Sequence, residues 1–325
     1  MTSRQEARGS SPQPDARRHE PEDSRSCMPG AVALMGVVNV TPDSFSDGGR
    51  FLAPERAIEH GLQLVREGAA LLDIGGESTR PGASPVSETE ELERVCPVIQ
   101  GLIQAGVQAR ISIDTTKAAV ARAALDAGAE WINDISAGES DPEMVPLAAE
   151  RDATLVLMHM RGRPSSMQAD PRYQDPVSEI VAYLRERQQC CLRAGMAPHK
   201  IVLDPGIGFG KRLEHNLDIL RRLPELRLGE SPLLLGVSRK SFIGHLMGSE
   251  RQAQWSASGA DETQRQRAAD RIGGTAAAVT ACVQGGADIL RVHDVQVMAE
   301  AVSVASALCG RPAPKFAEHA AGDNS

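Results

Sequence analysis

The chain has 325 residues, of which 41% are hydrophobic and only 3% aromatic. This length allows two average domains, but single barrels of alternating strands and helices commonly run to about 200 to 250 residues, so one barrel with polar ends fits better. The net charge of −8 argues against a nucleic-acid partner, which needs a basic face. No apolar run approaches the length needed to cross a membrane, so no membrane partner is expected.

The cysteine pattern indicates the compartment. Six cysteines are present without a C-x-x-C pair, and Cys190 and Cys191 are adjacent in a stretch with a helical pattern. Both facts favour free thiols over a disulfide framework or a zinc site. The histidines likewise form no H-E-x-x-H motif or paired metal spacing. We therefore expect a cytoplasmic protein.

The two ends of the chain differ from its body. Residues 1–29 are rich in Ser, Pro and charge and almost free of large apolar side chains, so they predict a disordered tail. Residues 311–325 are similarly predicted to be a flexible tail. The remaining residues, 30–310, are predicted to form one catalytic domain.

The body of the chain alternates apolar segments with helical patterns. A first strand is predicted at 31–39, followed by a polar loop at 41–50 and a helix over 54–67. Later strands are predicted at 110–113, 154–158, 201–203, 232–237 and 289–292. A long helix is predicted over 176–194, and a polar surface excursion over 248–270.

A Gly-Ala pair marks three boundaries where a predicted helix ends and a strand begins. These pairs begin at Gly68, Gly128 and Gly286, and the fifth residue after each glycine is polar. Those polar residues are Asp73, Asn133 and Arg291. The equal offset predicts that three strands deliver these side chains at about the same height.

Eight apolar strands each end in one polar residue. These residues are Asn39, Asp73, Asp114, Asn133, His159, Asp204, Ser238 and Arg291. Strands separated by helices form parallel sheets, and eight of them predict a (β/α)8 TIM barrel. In this fold the active site lies at the carboxyl ends of the strands.

The glycine-rich run after the sixth strand is not a nucleotide motif. Gly206, Gly208 and Gly210 precede Lys211 without the spacing of a Walker loop or of G-x-G-x-x-G. A tight turn explains these glycines without a ligand. It does not explain why a wholly apolar strand ends in the carboxylate of Asp204.

Two groups of polar residues point to chemistry. A carboxylate and a carboxamide together match the amino and ring N–H edge of a flat heterocycle, and the candidates are Asp114, Asn133, Asp204 and Lys240. Guanidinium groups suit phosphate, and an amide oxygen suits magnesium; these candidates are Arg80, Arg291, His293 and Asn39. The alternatives are solvated loop residues, an ion pair of Arg291 with a helix carboxylate, and a structural His159.

The motifs, in chain order, are NVTPDSFSDGG (39–49), GGESTRPGA (75–83), SIDTTK (112–117), INDIS (132–136), LMHMRG (157–162), LDPGIGFGK (203–211), VSRKS (237–241) and RVHD (291–294). In this order they resemble the dihydropteroate synthase family of pterin-binding barrels. The resemblance covers about residues 32–308 and neither tail. It implies a transferase that joins a hydroxymethyl-dihydropterin diphosphate to para-aminobenzoate, with Mg²⁺ as cofactor and a homodimer as the assembly.

The resemblance also implies roles for single residues. The pterin would be held by Asp114, Asn133, Asp204 and Lys240, with Phe209 and Met158 along its faces. Diphosphate and magnesium would be bound by Asn39, Thr79, Arg80, Arg291 and His293. The aminobenzoate site would be shaped by Phe45, Pro81 and Ser238. Asp47 would lie near a cationic intermediate, so the residues implied in catalysis are Asp47, Arg80, Lys240, Arg291 and His293.

Three other functions stay open at this point. A pterin-dependent methyltransferase on a related barrel would share the Asp and Asn contacts but does not need the loops at 41–50 and 75–84. An aldolase would form a Schiff base on Lys240. A non-catalytic relative would act by binding alone. Ser238 lacks a G-x-S-x-G context, which argues against a hydrolase triad.

Overall fold

The computed structural model describes residues 30–41, 53–78, 85–164, 166–246 and 271–314. They form a barrel of eight parallel strands in the order β6-β5-β4-β3-β2-β1-β8-β7. The strands are β1 Ala33–Asn39, β2 Leu71–Gly75, β3 Arg110–Asp114, β4 Trp131–Asp134, β5 Thr154–Met158, β6 Ile201–Asp204, β7 Leu234–Leu235 and β8 Ile289–Val292. The predicted (β/α)8 barrel is confirmed.

The barrel closes between β6 and β7. Leu203 pairs with Leu233 in a single bridge, and the Leu203 amide donates to the Pro232 carbonyl at 2.8 Å. The strand β7 has only two residues, although the sequence predicts a strand over 232–237. Proline has no N–H to donate to a ladder, so Pro232 contributes only its carbonyl to this junction.

Helices cover the outside of the barrel. In the described residues they are α1 Ala53–Arg66, α2 Glu88–Gln104, α3 Ala118–Asp126, α4 Met144–Glu150, α5 Pro176–Arg193, α6 Leu213–Arg221, α7 Ser241–Leu246, α8 Ile272–Gln284 and α9 Val295–Leu308. Gly68, Gly128 and Gly286 follow three of them with φ of 110°, 113° and 91°. This left-handed conformation is where glycine commonly ends a helix, so the predicted Gly-Ala boundaries are confirmed. No helix in this part of the chain is long and apolar enough to span a membrane.

The interior of the barrel has an apolar layer below a polar one. The apolar layer consists of Ala33, Met35, Leu71, Trp131, Val156, Val202, Leu234 and Ile289. Side chains two residues apart on a strand point to the same face. The side chains two residues beyond Leu71, Trp131, Val202 and Ile289 are Asp73, Asn133, Asp204 and Arg291. These polar groups therefore occupy the next layer toward the carboxyl ends.

The strands are staggered, and the stagger decides which polar residues meet. Asp73 pairs in register with Ser112, which pairs with Trp131. Asn133 is two residues further along β4, so two strands produce an offset of two residues. The same offset separates Arg291 from Asp73 across β1. Tilted barrel strands produce this stagger, and it brings residues from different register positions to one height.

Candidate active site

Asp73 is the centre of a network that we call the Asp73 network, made of Asp73, Ser112, Asn133, Asp114 and Arg291. The Asp73 side chain is fully buried. Its Oδ1 accepts from Ser112 Oγ at 2.7 Å, and its Oδ2 accepts from Asn133 Nδ2 at 2.9 Å and from Arg291 Nε at 2.6 Å. These bonds confirm that Asp73, Asn133 and Arg291 reach the same height.

Arg291 joins two carboxylates of neighbouring strands. Besides its bond to Asp73, it donates from Nη2 to Asp114 Oδ2 at 2.9 Å. Arg291 therefore bridges strand carboxylates, and the alternative of an ion pair with a helix carboxylate is wrong for these contacts. Burial, followed by the charge of Asp73, raises the pKa of Asp114 to about 7, although Arg291 opposes this. The pKa of Arg291 is raised because the two carboxylates outweigh its burial.

A second group, which we call the Asp204 cluster, consists of Asp204, Phe209, Lys211 and Lys240. Asp204 Oδ1 accepts from the Gly206 amide at 2.7 Å, which holds the carboxylate at the end of β6. Burial raises the pKa of Asp204, while this amide and the charges of Lys240 and Lys211 lower it. Lys240 Nζ lies 4.1 Å from the centroid of the Phe209 ring. Such a cation–π contact orients an ammonium group.

The turn at 205–210 needs its glycines for two reasons. Gly206, Gly208 and Gly210 have φ of 66°, 83° and 60°. A Cβ at Gly206 would lie 2.1 Å from the His159 carbonyl oxygen, and one at Gly210 would lie 2.2 Å from the Arg161 carbonyl oxygen. The backbone after β5 therefore packs directly against this turn. The tight-turn interpretation is confirmed, and the close approach adds a second cause.

Gly208 gives room to a side chain rather than to backbone. A Cβ there would stand 3.2 Å from Lys240 Cδ and 3.8 Å from Lys240 Nζ. The aliphatic part of Lys240 therefore lies across the turn, with its ammonium group over Phe209. Burial and the charge of Arg291 lower the pKa of Lys240 to about 8, and Asp204 and Asp114 oppose this.

Ser238 and His293 meet at the junction of β7 and β8. Ser238 is buried, and its Oγ lies 3.1 Å from His293 Nδ1 and accepts from the His293 amide at 3.3 Å. The next residue, Arg239, has a left-handed φ of 58°. Its guanidinium donates to both carboxylate oxygens of Asp294, and this ion pair helps to hold a conformation that costs an L-residue about 1 to 2 kcal/mol.

His159 has no polar role at the mouth of the barrel in the described contacts. It is buried, packs edge-on against Tyr183 with centroids 5.0 Å apart, and lies 3.0 Å from Lys211 Nζ through Nδ1. Burial keeps its pKa far below the ordinary value, so the ring is neutral. The structural alternative for His159 agrees with this position.

Asn39 ends β1, and its side-chain oxygen lies near the Asp114 carboxylate. Both oxygens lie close to Gly75: a Cβ placed on this glycine would be 3.9 Å from Asn39 Oδ1 and 3.7 Å from Asp114 Oδ2. The part of the chain that the structure describes contains no cluster of three or more His, Cys, Asp or Glu side chains suited to a metal. Magnesium is usually held by one or two protein oxygens together with substrate phosphates, and these residues fit that arrangement.

Ten of the fifteen predicted site residues lie in the described part of the chain, on strands or in the segments that follow them: Asn39, Asp114, Asn133, Met158, Asp204, Phe209, Ser238, Lys240, Arg291 and His293. Phe45, Asp47, Thr79, Arg80 and Pro81 lie outside the described residues. The sequence prediction omitted Asp73 and Lys211 from the site. For Asp73 a signal existed, since it shares the glycine offset of Asn133 and Arg291.

Similarity to known proteins decides which of the open functions applies to this chain. A sequence model of the family described as pterin binding enzyme matches residues 35–293. A dihydropteroate synthase from Synechocystis is 46% identical over 275 residues, which are 85% of this chain and 89% of the relative. This chain belongs to the dihydropteroate synthase family. Membership in the family makes the protein a transferase of folate biosynthesis.

Solved structures of the dihydropteroate synthase family share the barrel. The Yersinia pestis enzyme in a sulfonamide drug complex superposes with a TM-score of 0.76 at 41% identity, covering 86% of this chain and 95% of that one. The Xanthomonas albilineans enzyme with 4-aminobenzoic acid gives a TM-score of 0.74 at 42% identity, covering 87% and 94%. The similarity therefore extends over the whole barrel.

Proposed function

We propose that this protein condenses 6-hydroxymethyl-7,8-dihydropterin diphosphate with para-aminobenzoate to give 7,8-dihydropteroate and diphosphate. The observation that carries the proposal is the convergence of Asp114, Asn133 and Asp204 on one end of the barrel. Asp114 and Asn133 are paired in register on adjacent strands, and Asp204 ends β6. A dihydropteroate synthase that is 46% identical over most of its length supports the same reaction.

The pterin ring matches these acceptors. Carboxylates accept from amino and ring N–H groups, and a carboxamide both donates and accepts. Asp204 and Asp114 would take the donor edge of the ring, Asn133 would bind its mixed edge, and Lys240 would donate to a ring acceptor. Phe209 lies beside Lys240, and Met158 is buried at the end of β5; both would line the faces of the ring.

The reaction starts at the bond between the pterin methylene carbon and the diphosphate oxygen. This bond breaks with both electrons leaving on diphosphate, so a cation stabilised by the pterin forms. The amino nitrogen of aminobenzoate then forms the new C–N bond and loses a proton to solvent. The chemistry needs charge stabilisation and water exclusion rather than a covalent nucleophile.

The leaving diphosphate needs positive charge and donors at the mouth of the barrel. Arg291 and His293 would supply them from β8, together with Thr79 and Arg80 from the sequence motif. Magnesium, bound by diphosphate and Asn39, would neutralise part of the charge on the leaving group. Asp47 is proposed to stabilise the cation. Ser238, Phe45 and Pro81 would shape the aminobenzoate site, and the Xanthomonas albilineans relative binds 4-aminobenzoic acid.

We further propose a homodimer. Large exposed apolar side chains of α9 include Val297 at 38%, Val304 at 62% and Leu308 at 75% exposure. Their spacing of seven and four residues places them on one helix face, and such exposed stripes mark interaction surfaces. Val304→Glu is expected to shift the protein to monomer in sedimentation velocity, and Gln189→Glu, an equal charge change on α5, is the control.

A cytoplasmic location is proposed as well. The cysteines of the described residues are Cys96, Cys190, Cys191, Cys282 and Cys309, and all are free thiols. Free thiols persist in a reducing compartment. Cell fractionation with a periplasmic marker as reference tests this location.

The reaction is tested by a coupled assay of diphosphate release. Release is expected only when both substrates are present, and release with the pterin substrate alone would contradict the condensation. A second measurement follows aminobenzoate binding with and without magnesium diphosphate. Arg80→Ala is expected to abolish the binding that diphosphate promotes and to leave the binding of a pterin without diphosphate almost unchanged.

A further inference from the structure

Lys211 is a buried lysine whose ammonium group has three acceptors. The residue is 3% exposed. Its Nζ lies 3.0 Å from His159 Nδ1, 3.2 Å from the His159 carbonyl oxygen and 3.0 Å from the Phe209 carbonyl oxygen. An ammonium group has three hydrogens and no acceptor, so these three contacts use its full capacity.

The contact with His159 defines the state of the ring. An ammonium group only donates, so Nδ1 of His159 accepts and the ring proton lies on Nε2. The low pKa of His159, caused by burial and by the charges of Lys211 and Arg161, agrees with a neutral ring. Lys211 is thus bound to one side chain and two backbone carbonyls.

These contacts join two segments that carry the pterin pocket. His159 directly follows β5, and its carbonyl also packs against Gly206. Phe209 is the residue whose ring lies beside Lys240. Within the same turn, the Gly206 amide donates a hydrogen bond to Asp204 Oδ1. Lys211 therefore ties the end of the turn that presents Asp204 and Phe209 to the backbone after β5.

Charge adds a second effect at the same place. Asp204 is faced by Lys240 from the segment after β7, by Arg291 from β8, and by Lys211 from beyond its own turn. Lys211 is itself faced by Asp204, Lys240 and Arg161. Its ammonium group is one of the cations that favour the ionised form of Asp204.

We propose that Lys211 is a positioning residue for the pterin site, which ties the turn at 205–210 to the backbone after β5 and adds positive charge to the surroundings of Asp204. This inference rests on the proposed function, because it assigns Asp204 to the pterin. Lys211 itself does not touch the substrate in this role; it acts through Asp204 and Phe209.

The test is calorimetric binding of 6-hydroxymethylpterin, which lacks diphosphate, between pH 4 and pH 7.5. Lys211→Met keeps the chain length but removes the charge and all three donors. Affinity at pH 6, where Lys211 with its pKa of about 7 is charged, is expected to fall about tenfold, the scale for lost bonds to a charged group. The acid limb, by which we mean the fall in affinity at low pH, is expected to move to higher pH. A carboxylate without a nearby cation protonates more readily.

Lys200→Met is the matched control. Lys200 also bonds to a backbone carbonyl and a carboxylate, those of Asp152, but it precedes β6 at the other end of the barrel. This variant is expected to keep both the affinity and the acid limb. If Lys211→Met does not fold, Lys211→Gln replaces it, since the glutamine amide has two donors and no charge.

The outcomes separate this inference from the proposed function. If the wild-type protein does not bind 6-hydroxymethylpterin, the proposed function fails. If the wild type binds it and the Lys211 variant loses thermal stability while keeping the wild-type affinity and acid limb, Lys211 is only a structural residue and the inference is overturned. A shifted acid limb in the variant alone supports it.

Discussion

The Asp73 network and the Asp204 cluster lie at the same end of the barrel but carry opposite charge imbalances. The network has two carboxylates, Asp73 and Asp114, for one guanidinium. The cluster has two ammonium groups, Lys211 and Lys240, for one carboxylate. Accordingly, burial and neighbouring charges raise the pKa of Asp114 to about 7 and lower those of Lys211 and Lys240 to about 7 and 8.

The difference shows which groups are ready for a ligand. In the network, Asp73 already accepts three hydrogen bonds, so it serves the fold and orients its partners. In the cluster, the Asp204 carboxylate accepts one bond from the Gly206 amide among the described contacts. A carboxylate has about four acceptor sites, so Asp204 has capacity left for the donors of a pterin ring.

The largest effect is expected on the stability of the network. Asp73→Ala leaves the buried Ser112 and Asn133 donors without their acceptor, while Arg291 keeps Asp114. At about 1 to 3 kcal/mol for each unsatisfied buried donor, the free energy of unfolding should fall by about 3 to 5 kcal/mol. Urea unfolding of the protein without ligands measures this. A loss below about 1 kcal/mol would contradict the central role of Asp73 in the network.

A substitution in the Asp204 cluster should change the affinity for the pterin more than the free energy of unfolding. Asp204→Asn places an amide donor opposite the donors of the pterin, so affinity should fall by about 1.5 to 3 kcal/mol, or roughly 10- to 150-fold. The free energy of unfolding should change less than in Asp73→Ala, because the asparagine oxygen can still accept from the Gly206 amide. Asp218→Asn on α6 is the control, and unchanged pterin binding by Asp204→Asn would remove Asp204 from the site.

Asp114 is expected to affect both the stability of the protein and the binding of the pterin. Its pKa rises from 3.8 to about 7 on folding, so between about pH 4 and pH 7 the folded protein keeps a proton that the unfolded chain has released. Stability therefore falls as the pH rises through this window. Asp114→Asn should remove that slope and stabilise the protein at pH 8 by on the order of 2 kcal/mol, while pterin binding is lost.

Urea midpoints at pH 4, 5.5, 7 and 8 test this prediction. The wild-type curve minus the Asp114→Asn curve should change only between about pH 4 and pH 7. A difference that is the same at every pH would mean that Asp114 stays ionised in the folded protein.

The smallest effect is expected at the ends of the chain. Arg311 lies just outside the predicted domain of 30–310, yet it donates to the Gly30, Val283 and Ala287 carbonyls. A chain trimmed to residues 30–314 should keep the stability and activity of the full chain. Trimming to 30–310 should cost about 1 kcal/mol through the lost hydrogen bonds. Equal stability of the two trimmed chains in urea would show that Arg311 contributes nothing.

The strands and their polar ends were predictable because their signals are local. Each strand is a short apolar run, and one polar residue two positions beyond an inward-facing residue must point into the barrel. The contacts of Asp73 were not predictable in the same way. They depend on the stagger between strands, which is a property of the closed barrel and is not contained in any single strand.

The contacts of Lys211 and Arg239 lacked a local signal as well. The acceptors of Lys211 include His159, which is 52 residues away in the chain, and only the packing of two loops brings them together. Arg239 adopts a left-handed φ of 58°, a conformation that sequence patterns associate with glycine. Its stabilising partner, Asp294, belongs to the segment after β8. Long-range pairs of this kind appear only in the folded chain.

The backbone contacts of Gly206 and Gly210 have a consequence for inhibitors. Any side chain at these positions would collide with the His159 or Arg161 carbonyl oxygen, at 2.1 and 2.2 Å, and would strain a left-handed backbone. An inhibitor that draws its affinity from this turn therefore meets a surface that single substitutions cannot reshape without displacing a neighbouring loop. Escape from such an inhibitor would have to arise at side chains elsewhere in the site.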